Sequence, residues 1–329
     1  VTDRLQVLAI GNAIVDVLAR TDDAFLHEKG MVKGAMRLID EAEAEEIYGQ
    51  MGPATEVSGG AAANTAAGLA ALGARVGFIG RVRNDQLGEV FTHDIRAQGV
   101  EYRTAPATDG LATARCFIFI TPDGQRTMNT FLGASTRLTS GDLTPDQIAR
   151  ADVIYVEGYL WDAPEAKQAI RDAIGMAKAA GNRVAFTLSD SFCVDRHRAE
   201  FLALVRDHVD ILFANEAEIK SLYQTDDAGA AAAQAARDCA IVAVTRSEHG
   251  AWVLAGNDRH AVPAVPGVTV VDTTGAGDLF AAGFLHGLTS GRSLADCGTL
   301  GCLCAAEIIS HVGARPEADL KALAAAHLG

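Results

Sequence analysis

The sequence predicts an α/β protein: a central, mainly parallel sheet between helices, with a small β lid. Three observations predict it. Short apolar or β-branched runs alternate with helical patterns along most of the 329 residues, the order that gives a parallel sheet covered on both faces. Ala163–Ala180 places Ala166, Ile170, Ala173, Ile174 and Ala177 on one face of a helix. Two regions, Ala13–Ile39 and Leu111–Leu132, break the alternation with extended segments able to pair into a separate small sheet.

Taken in order, Leu5–Ile10 is an apolar strand that opens the chain, and Ile14–Ala19 and Ala35–Ile39 are extended pieces around a turn-rich passage. Ala61–Leu72 is an Ala-rich helix, Arg75–Gly80 a second buried strand, and Asp85–Gln98 a helix ending at Gly99. Leu111–Ile120 and Arg126–Leu132 are joined by Thr121-Pro122-Asp123-Gly124-Gln125, a good hairpin turn. Val153–Val156, Arg183–Leu188, Asp210–Ala214 and Ala240–Thr245 are short strands, each followed by helical material, and Asp226–Arg237 is an ordinary Ala-rich helix. No Pro- or Ser-rich linker divides the chain. One domain over 1–329 is expected, with a lid from segments near 13–39 and 103–132.

Composition narrows the function. With 28 Lys+Arg against 42 Asp+Glu, the net charge is −14, which argues against a general nucleic-acid binder and a polybasic membrane-surface protein. No apolar run reaches membrane-spanning length, and Val1–Gly11 lacks the charged and apolar regions of a signal peptide, so a cytoplasmic protein is expected. The six cysteines show no C-x-x-C, and buried free thiols are expected. Glycine is in excess, 33 residues, roughly a tenth against about 7% in typical usage. Tight turns explain most of that, and backbone close to a ligand is the sharper alternative.

The strongest motif is Asp272-Thr273-Thr274-Gly275-Ala276-Gly277-Asp278, which runs from a strand end into an apolar helix. The free N–H groups of the first turn and the helix dipole favour an anion there. A carboxylate merely repels a bound phosphate, but Asp278 makes sense as a base taking the proton from a hydroxyl that attacks it. The structural alternative is a Gly-containing turn with a plain helix-start carboxylate. Ser58-Gly59-Gly60 and Asn64 precede and open a helix of very small residues, suited either to a polyhydroxylated ligand or to close helix–sheet packing. Asn12 and Asp16 follow the first strand and share a face if the backbone is extended. Asn215-Glu216-Ala217-Glu218 follows a strand, suiting either a hydrated Mg²⁺ or a capped acidic helix start. Thr245 to Gly250 is a strand end, a polar turn and a glycine. Walker A, G-x-G-x-x-G after the first strand, H-E-x-x-H and G-x-S-x-G motifs are all missing.

These motifs, in this order, strongly resemble the signatures of the PfkB (ribokinase-like) family of carbohydrate and nucleoside kinases. The resemblance rests on Asp272–Asp278, on Ser58-Gly59-Gly60 through Phe78-Ile79-Gly80-Arg81-Val82, on Asn215 with Glu218, and on Thr245 with Gly250. It implies a ribokinase-like three-layer fold and an ATP- and Mg²⁺-dependent kinase. Asp278 would be the base, and the backbone of Gly275, Ala276 and Gly277 the anion hole. Asn215 and Glu218 would organise Mg²⁺ through water. Asn12, Asp16, Gly59, Gly60 and Asn64 would hold sugar hydroxyls. Thr245 and Gly250 would contact ATP, with its adenine near Val265, Val268 and Cys302. The resemblance also implies a K⁺ site at Asp272 and Thr274 with carbonyls near His311 and Gly313.

Three segments are similar to those of adenosine kinases: Gly11–Asp16, Arg126–Thr130, and Tyr155–Tyr159. On that resemblance Met36, Leu38, Met128, Thr130 and Tyr159 would surround a base, an apolar lining with one aromatic that suits a flat ring. Thr245-Arg246-Ser247 departs from the commoner T-x-G. The expected acceptor is therefore a nucleoside, adenosine first, with a ribose- or fructose-type sugar as the alternative and a monomer or homodimer as the state. A non-catalytic regulatory protein is the third reading, and it gives Asp278 nothing to do.

Overall fold

The structure, a computed structural model, describes residues 4–328; residues 1–3 and 329, part of the expected 1–329 domain, lie outside the described residues. The strands in chain order are β1 (Leu5–Ile10), β2 (Ile14–Arg20), β3 (Met36–Leu38), β4 (Ala54–Gly59), β5 (Val76–Ile79), β6 (Glu101–Tyr102) and β7 (Ala114–Ile120). They continue with β8 (Arg126–Phe131), β9 (Ala151–Glu157), β10 (Arg183–Thr187), β11 (Ile211–Asn215), β12 (Ile241–Thr245), β13 (Ala251–Ala255) and β14 (Asp258–Val262).

Nine of them form one sheet, ordered β14-β13-β12-β11-β10-β9-β1-β5-β6. It is parallel from β12 to β6, and β13 and β14 add an antiparallel hairpin at one edge. Alternate residues feed two cores. Val7, Ala9, Val153 and Tyr155 pack with the helices Ala61–Ala71, Ala276–Thr289 and Leu294–Ile308. Leu8, Ile10, Ile154 and Val156 pack with Pro164–Ala179, Ser191–Asp207, Glu216–Tyr223 and Ala228–Asp238. From β1 the chain moves outward to β5 and β6, then returns to β9 on the other side. The strand order thus reverses beside β1 and β9, where open parallel sheets leave a ligand crevice at their carboxyl ends.

The other five strands form a small sheet, β3-β8-β7-β2-β4. One face, with Val15, Val17, Phe117, Phe119 and Phe131, packs on Leu26, Ile47 and Phe91 from the helices Asp23–Glu28, Glu41–Gln50 and Gln86–Ala97. The opposite face carries the half-buried Ile14, Asp16 and Leu18 of β2 and Arg126, Met128 and Thr130 of β8. Met36 pairs in register with Met128 and Leu38 with Thr130, so these four residues share that face.

The expected strands are present with ends shifted by a few residues. The hairpin turn is as expected: Gly124 takes φ of 81°, and Thr121 N donates to Gln125 O at 3.0 Å. All six cysteines are buried and free. Four pieces differ from expectation. Residues 103–113 add no strand to the small sheet, whereas β4 does, pairing antiparallel with β2. Its sequence, Ala-Thr-Glu-Val-Ser-Gly, is too polar to read as a strand from composition. The β13–β14 hairpin and the two-residue β6 are short edge pieces with no amphipathic signal.

Candidate active site

Two helices begin side by side at the crevice. Ala61–Ala71 starts after Gly60 and Ala276–Thr289 after Gly275, neither with a cap from that residue's side chain, so both bring positive dipole ends to one place, although Ala62 N is held by Glu157 and Ala276 N by Thr273 O. They approach closely because Gly68 has no side chain: a Cβ there would lie 2.5 Å from Leu279 Cδ1. Asn64 Nδ2 donates to Asp278 Oδ2 at 2.9 Å, and Thr65 Oγ1 donates to the Asp278 carbonyl at 3.1 Å. Gly275 sits at φ 79°, while a Cβ on Gly277 would meet no atom within 4 Å. The backbone at Gly277 is thus open to an incoming group.

Asp278 is pushed up to about 6, first by burial and then by the nearby negative charge of Asp16, against the opposing effects of Asn64 and Arg315. Asp16, facing it from the small sheet, is also pushed up to about 6 by burial, with Arg315 and Arg126 opposing. The glycine pair fits around Asp16 and Asn12. A Cβ on Gly59 would lie 2.4 Å from Asp16 Oδ2, and one on Gly60 (φ 98°) 2.2 Å from Asn12 O.

Beneath Asn12 lies a residue to which the resemblance of Tyr155–Tyr159 gives no role. Glu157, at the end of β9, is fully buried. It accepts from Asn12 N at 2.8 Å, Asn12 Nδ2 at 2.5 Å and Ala62 N at 2.8 Å. Burial raises it to about 7, with Asp278 adding to the rise. A Cβ on Gly11 would lie 2.4 Å from its Oε2.

A pocket of about 190 Å³ brings together Tyr159, Asn215, Glu218, Thr245, Gly277 and Asp278. An adjoining one has Asn12 and Tyr159 in its wall. Asn215 and Glu218 form a capping box: Glu218 N donates to Asn215 Oδ1 at 2.9 Å, and Asn215 N and Nδ2 donate to the Glu218 carboxylate at 2.9 and 2.6 Å. Burial, with Asp190 and Asp278 adding, raises Glu218 to about 7. A buried carboxylate held against its charge fits a divalent cation nearby. Thr245 lies beside Asn215 in strand register.

Not every expected residue faces these pockets. A Cβ on Gly250 would lie 2.0 Å from Val262 O, so the close approach there is to the chain's own backbone. Arg246, in place of the small residue, pairs with Glu216 at 3.0 Å and stacks on Trp252. Val265, Val268 and Cys302 line neither pocket; Cys302 is buried in the helix Leu294–Ile308.

The Asp272 loop holds an internal cation. Arg126 Nη1, from the small sheet, pairs with Asp272 Oδ2 and donates to Thr274 Oγ1 at 2.7 Å. Gly313 N donates to the same Asp272 oxygen at 2.9 Å, and Thr274 N and Oγ1 donate to the other at 3.1 and 2.8 Å. With both oxygens taken and a guanidinium in place, the Asp272 side chain does not fit K⁺. The His311 side chain faces Glu307, 3.1 Å away. Arg126 and Arg315 are the two cations of the site that sequence reading missed, because their partners lie more than a hundred residues away.

A mainly parallel sheet with two helix starts converging on the half-buried Asp278 carboxylate is an arrangement suited to phosphoryl transfer. The pfkB family carbohydrate kinase model matches residues 31–320, and the chain belongs to that family. It is 54% identical to adenosine kinase from Sinorhizobium meliloti, with a TM-score of 0.90 over 98% of this chain and 99% of that one. It is equally 54% identical to a probable sugar kinase protein from Rhizobium etli, also with a TM-score of 0.90, over 98% of each chain. Adenosine kinase from Saccharomyces cerevisiae is 28% identical over 93% of this chain and 95% of its own length. The chain is thus an ATP-dependent kinase of adenosine kinase or sugar kinase type. Among the described residues no helix is long and apolar enough to cross a membrane.

Proposed function

We propose that the chain transfers the γ-phosphoryl group of ATP to the 5′-hydroxyl of a nucleoside, with adenosine the first acceptor. The observation that carries this is the small-sheet face opposite Asp278. There Met36 and Leu38 are 55% and 62% exposed, in register with Met128 and Thr130, while Tyr159 borders the pocket of Asp278. An apolar, partly aromatic wall facing a polar floor suits a ligand with a flat base at one end and hydroxyls at the other. The likeness to the Sinorhizobium meliloti adenosine kinase supports the same reading.

In this reading Asp16, Asn12 and Asn64 hold ribose hydroxyls, and Gly59 and Gly60 let the sugar approach the backbone. Asp278 takes the 5′-hydroxyl proton as the oxygen attacks the γ-phosphorus. The bond from that phosphorus to the β-γ bridging oxygen breaks, and ADP leaves with the electron pair. The N–H groups at Gly275, Ala276 and Gly277 stabilise the charge on the phosphoryl oxygens. Arg126, held by Asp272 and Thr274, adds positive charge beside that loop. Asn215 and Glu218 would hold Mg²⁺ through water, and Thr245 would contact ATP. Mg²⁺ neutralises charge on the ATP phosphates.

ADP release across a panel of nucleosides and free sugars tests the proposal. Turnover with adenosine and none with 5′-deoxyadenosine is expected. Turnover with ribose or fructose in preference to every nucleoside would replace it with the sugar-kinase reading, which the Rhizobium etli relative favours.

A further inference from the structure

We propose that Arg315 is a positioning residue of the transfer site: it fixes which way the Asn64 amide faces and supplies the cation shared by Asp16 and Asp278. This rests on Asp278 as the base.

The geometry is a fork. Arg315 Nη1 donates to Asn64 Oδ1 and, at 3.3 Å, to Ala314 O. Nη2 donates to Ser58 O and to Ser58 Oγ at 2.9 Å. Ser58 is fixed in turn by Asp94, which accepts from its N and Oγ at 2.8 and 2.5 Å. An amide has one accepting end and one donating end. With Oδ1 held by the guanidinium, Nδ2 must face Asp278, and it donates there at 2.9 Å. The flipped amide would set NH₂ against guanidinium and carbonyl oxygen against carboxylate, two repulsions at once. Arg315 thereby determines that Asp278 receives a donor.

The second role is charge. The guanidinium makes no ion pair within 4 Å among the described residues, yet it favours the ionised forms of both Asp16 and Asp278. Its own desolvation is opposed first by Asp16, then by Asp94 and Asp278. Apart from the Asn64 amide, the other groups acting on Asp278 or acted on by it are acidic or phenolic: the carboxylates of Asp16, Glu157 and Glu218, and Tyr155 and Tyr159. Arg126 acts on Asp16. Without Arg315 only the Asn64 donor, whose orientation Arg315 fixes, opposes the burial of Asp278 and the charge of Asp16, and a proton stays on Asp278 to higher pH. A protonated Asp278 accepts no proton from an acceptor hydroxyl.

The test titrates Asp278 directly, by ¹³C-carboxyl NMR of labelled protein, its signal identified by its loss in Asp278→Asn. Alongside runs the pH profile of kcat/KM. Arg315→Met should raise the Asp278 midpoint by about one unit or more, and the acid limb of kcat/KM should move up with it. Arg315→Lys should keep the midpoint and lower kcat, since an ammonium cannot fork to Ser58 and Asn64 together. If Arg315→Met does not fold, Arg315→Gln removes the charge while keeping donors, and its midpoint answers the same question. An unmoved midpoint with activity lost evenly at every pH would make Arg315 a structural clamp and overturn the proposal, as would full activity in Arg315→Met. A wild type that transfers phosphate to no nucleoside or sugar would sink the functional reading instead, and the NMR midpoints would still decide Arg315.

Discussion

Asp278 is held where its charge is costly. Its raised value means that the folded protein binds this proton more tightly than the unfolded chain. The stability that comes with it is present at low pH and is lost as pH rises through about 6. Asp278→Asn should therefore raise the melting temperature at pH 8, by a few degrees, and by less at pH 5, as thermal unfolding would record. A gain that is larger at pH 5 would mean that the group is not desolvated. Glu157 makes the opposite prediction. Three donors converge on it, and Glu157→Gln turns an NH₂ toward at least one of them. The loss should be about 1.5–3 kcal/mol, measured by urea unfolding at neutral pH. Neither Glu157 nor Arg315 was legible in the sequence. Glu157 ends an apolar strand inside a segment whose resemblance marks only Tyr159, and Arg315 meets Ser58 and Asn64 across some 250 residues of chain.

Elements were easier to read than contacts. β1 matches its expected bounds because a buried parallel strand is a plain apolar run, and Pro164–Ala179 shows its helical face in the buried Ala166, Ile170, Ala173, Ile174 and Ala177. The polar edge strand β4 was missed, since pairing with β2 rather than its own composition makes it a strand. The Gly275–Gly277 helix start was legible because glycine placement and a following apolar helix are local facts. The Arg126 bridge was not, because it joins β8 to a loop more than a hundred residues on. Two predictions belong here. Tyr159→Ala should raise the nucleoside KM by about 5- to 150-fold, given roughly 1–3 kcal/mol for a stacked base, while sparing any weak ribose turnover. Equal loss with both acceptors would remove the stacking role. Arg126→Met should lower kcat far more than it changes the acceptor KM in steady-state assays. A change confined to KM would mean that Arg126 only shapes the acceptor wall.

Across the whole molecule, a chain of net charge −14 must hold ATP without a Walker lysine. Two helix starts, Arg126 and Arg315 set local positive charge among the site's carboxylates, so net charge excludes little about phosphate. The small sheet contributes Asp16, Arg126 and the apolar wall, while the large sheet positions Asp278, Glu157 and Glu218. In the proposed mechanism an acceptor is held between them, and the small sheet is the lid. Adenosine with a non-hydrolysable ATP analogue should then slow amide hydrogen exchange in β2, β3 and β8 and leave the centre of β9 and β10 unchanged. Protection confined to the large sheet would contradict a closing role.

The most direct test compares ADP release from wild type and Asp278→Asn with adenosine and Mg-ATP. The proposed mechanism predicts 5′-phosphorylated product from the wild type and a kcat lower by about 10²–10⁴-fold in the variant. Near wild-type turnover by Asp278→Asn would contradict it.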